Sequence, residues 1–177
     1  MKISTRDITF MGVGIALFVA LSMCLRVPVF ENYYLCLGYI VMTVYIWCYK
    51  WYEGAVIGFF GVILYCVVGG LGFNGTPGWS VGNIVIGLIL GVCLKQIRKV
   101  NSKTLQLILT AVAAVFAVFV GIEIVKSLID SVVVAQPFIV RFGKNMTSFI
   151  ADAFVIVISL PVCAAVEKQA KELRYNK

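Results

Sequence analysis

The chain has 177 residues, 62% of them hydrophobic and 13% charged, with a mean hydropathy of +1.01. A water-soluble domain of this size has no core large enough to hide so much apolar surface, which excludes the soluble classes and leaves an integral membrane protein. The formal net charge of +7 would point to nucleic acid only if it formed a patch on a soluble surface.

The length suits five to seven spans of ~20 residues, and the pattern predicts an all-α bundle of six transmembrane helices forming one membrane domain over residues 1–177. Lys2 and Arg6 precede the first apolar run, as in a secretory signal. The run is longer than a signal's apolar region and several more spans follow, so it reads as a retained helix over 8–26, with Thr5 and Asp7 as candidate caps. Pro28 stops it, and residues 26–33 connect it to a second span over 34–49, whose flanking tyrosines and tryptophans resemble interfacial belts. After a turn at Lys50–Glu53, a third span covers 54–70, with Gly54, Gly58 and Gly61 forming a small face. The uncharged segment Gly69–Ser80 reads as a loop, with Ser80 capping a fourth span over 80–95. A fifth span covers 105–128 and a sixth 137–166, followed by a charged tail from Glu167 to Lys177.

Cations counted by alternating sides give the orientation. One side holds Lys2, Arg6, Lys50, Lys95, Arg98, Lys99, Lys103, Lys168, Lys171, Arg174 and Lys177; the other holds Arg26, Lys126, Arg141 and Lys144. The positive-inside rule then puts both termini in the cytoplasm of a multi-pass protein of the bacterial cell membrane. The same layout accounts for the net charge and argues against nucleic acid as a partner.

Enzyme chemistry finds no foothold in these residues. The sequence has no histidine, no phosphate-binding Gly-Lys-Thr/Ser loop and no nucleophile elbow, and the cysteines at 24, 36, 48, 66, 93 and 163 form no C-x-x-C pair. They read as small buried hydrophobes, with no metal or cofactor implied. Polar residues do gather on the last two helices. Arg141, Asn145, Ser148 and Asp152 recur at i, i+4, i+7 and i+11 on one face, and Glu123, Ser127 and Asp130 share a face of the preceding helix. A charge at the bilayer centre costs ~2.5–3.5 kcal/mol on insertion scales, so these groups either pair across the helices, Arg141 or Lys144 with Glu123 or Asp130, or serve a polar ligand. The ligand reading gathers Arg26, Tyr33, Tyr34, Trp79, Asn83, Gln136, Arg141, Lys144, Asn145 and Asp152 into one candidate binding set for a small polar molecule. Interfacial anchoring fits Trp79 and the tyrosines equally well.

In the first helix Gly12, Ala16 and Ala20 recur every four residues and form a smooth stripe beside bulky Ile15, Leu17 and Phe18. With the short STRD segment before it, the A-x-x-x-A pair at Ala16 and Ala20 and the Gly-rich loop before helix 4, the chain resembles the substrate-binding S components of energy-coupling factor (ECF) vitamin transporters. The resemblance implies capture of a vitamin from outside. It also implies docking of helix 1, through Ala16 and Ala20, on a transmembrane coupling protein bound to two cytoplasmic ATPases, and toppling of the subunit to release its cargo. Gly12 extends that seam in register. Family pockets use the first outer loop, the loop before helix 4 and helices 4 to 6.

Four cations in the outer half favour a carboxylate-bearing vitamin such as pantothenate, while the aromatic set also suits pyridoxine, riboflavin or folate. Two other classes compete: a carrier driven alone by protons or ions through Asp152 and Glu123, and a structural membrane subunit without a ligand.

Overall fold

The computed structural model describes the backbone of residues 4–24, 28–30, 33–70 and 76–175, and side chains in these except at 28–30, 33–34, 171 and 173–175. Among the described residues, five helical stretches are long and apolar enough to cross a membrane: Thr5–Cys24, Trp51–Val68, Thr76–Ile97, Lys103–Val133 and Phe138–Ala170.

Helix α1 (Thr5–Cys24) is opened by Ser4 and not by the expected Thr5. The Asp7 amide donates to Ser4 Oγ at 3.2 Å while the Ser4 amide donates to Asp7 Oδ2 at 3.1 Å, a reciprocal cap that satisfies two otherwise orphaned donors. Its inward face is Asp7, Met11, Gly14, Phe18 and Ser22. Phe18 is fully buried. At the far end the Ser22 hydroxyl accepts from the Gly38 amide at 3.1 Å, fixing the start of the next helix.

Between these helices, β1 (Pro28–Phe30) and β2 (Tyr33–Tyr34) pair antiparallel. The second helix therefore begins later than expected. Helix α2 (Gly38–Cys48) has 11 residues, about 16 Å of rise, short of the ~30 Å hydrocarbon core. Nearly all of it is buried, because α1, α3 (Trp51–Val68) and the last helix surround it. Of the aromatic residues expected in its flanking belts, Trp47 is a buried core group while Trp51 is 41% exposed, and within the helix Tyr39 and Tyr45 are buried.

Helix α4 (Thr76–Ile97) starts four residues before the expected position, placing Trp79 and Ser80 inside the helix instead of in a loop and at its cap. It packs on α3 on one side and on the fifth helical stretch on the other. That stretch is α5 (Lys103–Val118), a π-helical segment (Phe119–Lys126) and α6 (Ser127–Val133) in unbroken succession. The wider π turn sits where two backbones meet: a Cβ on Gly82 would stand 2.5 Å from the Gly121 carbonyl oxygen. Only glycine permits that approach.

Helix α7 (Phe138–Tyr175) has 38 residues and runs through Pro161. Its rise of about 57 Å exceeds the hydrocarbon core, so the charged tail continues the helix beyond the apolar part. There it closes the pole that carries the N-terminal end of α1. Trp47 Nε1 donates to Glu167 Oε2 at 3.1 Å, Tyr49 Oη to the Ala170 carbonyl at 3.1 Å, and Tyr45 Oη to the Phe10 carbonyl at 2.8 Å. We call this the terminal pole and its opposite the distal pole. Four cysteines, Cys36, Cys48, Cys66 and Cys163, are buried as expected, but Cys24 is exposed at the end of α1 and Cys93 is partly so.

A polar cluster under the distal pole

Trp79 lies in the first turn of α4, which orients its indole toward the bundle axis, and Tyr65 of α3 supports the ring edge-on at 5.9 Å. Trp79 Nε1 donates to Tyr39 Oη at 2.7 Å, Tyr39 Oη donates to Asn83 Oδ1 at 2.9 Å, and Asn83 Nδ2 donates to the Gly58 carbonyl at 3.0 Å. This relay joins α4, α2 and α3 through a half-buried Trp79 and the fully buried Tyr39 and Asn83, where each bond polarises the next. Asn83 can turn toward α3 because Gly58 leaves room for it: a Cβ there would come within 2.9 Å of Asn83 Cβ.

A second network crosses from the fifth helical stretch to α7. Lys126 Nζ donates to Asp130 Oδ2 at 2.6 Å and to Asn145 Oδ1 at 2.5 Å, and Asn145 Nδ2 donates to Ser127 Oγ at 2.9 Å. Beside the inter-helix pairing left open by the sequence, Lys126 pairs with Asp130 within one helix. Successive turns there put the two groups side by side, and the Asp130 side chain is only 1% exposed.

Asp152 links the networks. It lies two turns from Asn145 on the same face of α7, it is buried, its carboxyl is within side-chain hydrogen-bonding reach of Tyr39, and it feels the charge of Lys126. The Tyr39 hydroxyl carries one proton, and it is given to Asn83.

Several buried polar atoms in this region make no hydrogen bond to the protein: Ser80 Oγ, both carboxyl oxygens of Glu123, Asp130 Oδ1, Gln136 Oε1 and Arg141 Nε. Tyr52 Oη is the other such atom among the described residues, and it lies at the terminal pole. Buried polar groups are ordinarily satisfied, so this concentration marks a place built to meet something polar. Glu123 is the extreme case, fully buried in the π-helical segment.

Of the candidate binding set, the structure brings together Trp79, Asn83, Asn145 and Asp152. Gln136 and Arg141 stand at the edge of the cluster, partly buried, and Lys144 is exposed. Arg26 lies outside the described residues, and Tyr33 and Tyr34 form β2 with side chains outside the description. The residue that sequence reasoning passed over is Tyr39, read as one more aromatic of an apolar span, although it is the hub of the relay. Lys126, Ser127 and Asp130 were legible as a polar face but not as part of the set.

The stripe of α1 turns away from all of this. Gly12, Ala16 and Ala20 are exposed on the side opposite Met11, Gly14 and Phe18, and a Cβ on Gly12 would meet nothing within 4 Å.

A buried polar cluster under one pole of a multi-pass helical membrane protein is an arrangement that a transport protein requires. The chain belongs to the family of ECF-type riboflavin transporter S components, whose family model matches residues 2–168. It is also similar to UPF0397 proteins from two strains of Streptococcus thermophilus. One is 24% and the other 23% identical over 159 residues, in each case 88% of this chain and 86% of the relative. No solved structure matches the chain. Membership makes the protein a substrate-binding component of a vitamin uptake system, a role that is not itself catalytic.

Proposed function

We propose that the cluster of Tyr39, Trp79, Asn83, Lys126, Asn145 and Asp152 binds a neutral, ring-bearing vitamin, with riboflavin, for which the matching family is named, as the first candidate. The observation that carries this reading is the commitment of Lys126. It is held by Asp130 and Asn145, while the Glu123 and Asp152 carboxyls are buried within reach of its charge. A carboxylate cargo would enter a region already holding more carboxyls, Glu123, Asp130 and Asp152, than cations, Lys126 and Arg141. An isoalloxazine ring meets the opposite condition. Its face stacks on Trp79, and its imide N–H and ribityl hydroxyls supply donors to Asp152, Asn83 and the orphaned oxygens. Arg141 Nε, buried without a partner, favours pantothenate as the second reading.

Energy comes from elsewhere in this scheme. The exposed Gly12, Ala16, Ala20 stripe docks on a transmembrane coupling protein that carries two ATPase subunits. The termini face the cytoplasm, because the terminal pole carries most of the cations, and six crossings result when α2 and its flanking segments count as one.

Titration of the purified protein with riboflavin, followed by quenching of flavin fluorescence, tests the substrate. Expected is a Kd of about 1 μM or tighter, near −8 kcal/mol, with pantothenate failing to compete. Competition by pantothenate without a riboflavin signal would reverse the order of the two readings, and binding of neither would remove both.

A further inference from the structure

The terminal pole holds a second cavity, of about 390 Å³, between the α2–α3 turn and the last turns of α4. Its walls include the cations Lys50, Lys95 and Arg98 and the aromatic residues Tyr49, Trp51 and Tyr52, with no carboxylate among them. The donors are arranged for an acceptor. Lys50 Nζ stands over the Tyr52 ring at 5.5 Å, and the buried Tyr52 hydroxyl lies within the reach of that ammonium. Arg98 spends one N–H on the Trp47 carbonyl, which leaves the rest of its guanidinium fork. The carboxylates acting on Lys50 are Asp7 and Glu53, and Glu167 lines the adjoining cleft with Arg98. Nothing in vitamin capture uses this cavity, which lies at the opposite pole from the polar cluster.

We infer that this cavity binds the phosphate of an anionic phospholipid, with phosphatidylglycerol as the probe. Phosphate chemistry follows from three cations lining one cavity whose walls hold no carboxylate. A lipid source follows from the cavity's position. Trp51 is 41% exposed at its mouth, and on the face of α4 that carries Lys95, Leu88 lies two turns further into the membrane and is 46% exposed, giving an acyl chain an apolar path directly below the headgroup.

The test is native mass spectrometry of the full-length protein taken from mixed phosphatidylglycerol and phosphatidylcholine micelles through graded delipidation. The wild type should retain phosphatidylglycerol in preference to phosphatidylcholine. The double substitution Lys50→Gln with Lys95→Gln should lower that retention about tenfold, whereas Lys50→Arg with Lys95→Arg should preserve it. The arginine pair guards against misreading a folding defect, as does unchanged flavin titration of the glutamine pair. Equal retention of the two lipids, or phosphatidylglycerol retention unchanged in the glutamine pair, would overturn the assignment. So would thermal stabilisation by inorganic phosphate equal to that given by phosphatidylglycerol, since the site would then take a free anion.

Discussion

Replacing Ala16 or Ala20 by Trp is expected to reduce uptake by about tenfold to a hundredfold, while flavin binding by the isolated protein stays within about twofold of the wild type. The reasoning is geometric. Both alanines are exposed, on the side of α1 facing away from Phe18 and the rest of the core, so a larger side chain there disturbs nothing inside the subunit. It would, however, hold off another helix, because small-residue seams work by letting two backbones come close. Co-purification with the coupling protein should fall in parallel with uptake. If binding and assembly fell together, the stripe would be a packing surface needed for the fold. If neither changed, the partner would dock elsewhere.

The second large effect is expected at Tyr39. Changing Tyr39 to Phe removes one oxygen but strands two partners, the half-buried Trp79 Nε1 and the buried Asn83 Oδ1. An unsatisfied buried polar group costs about 1–3 kcal/mol, so vitamin affinity should weaken by about tenfold to a hundredfold as the relay loses its orientation. Trp79→Phe separates the two contributions of the indole. It keeps an aromatic wall and deletes the donor, and should weaken binding less than Trp79→Ala, which deletes both. Titration of the three variants provides the check: equal affinities for all three and the wild type would detach the relay from the cargo.

The membrane class and most helices were legible because apolar runs of span length have few alternatives, and the polar face of α7 was legible because its spacing of four, three and four residues repeats on one side. Asn145 and Asp152 are buried where that spacing put them. What escaped were features decided by packing. The shortness of α2 depends on a small β-pair before it and on three helices around it, and neither has a local signature. The π-helical segment follows from contact between Gly82 and Gly121, residues far apart in the chain. Tyr39 escaped for a related reason: in a run rich in Tyr, Trp and Cys nothing local distinguishes the one hydroxyl aimed at Asn83 from those of Tyr45 and Tyr49, which tie down the terminal pole. Lys126 was visible, but its joint hold on Asp130 of its own helix and Asn145 of α7 was not, because several acceptors lay within reach of a flexible side chain.

The central claim is that this chain binds its cargo but has no means of driving it. Proteoliposomes test that most directly, with labelled riboflavin uptake measured for the protein alone under an imposed proton gradient and for the protein joined to a coupling protein and its ATPases with ATP. Uptake only in the second preparation, abolished when ATP is withheld, is the predicted result. Uptake by the protein alone, driven by the gradient and lost on replacing Glu123 or Asp152 with its amide, would contradict it and make this chain a carrier in its own right.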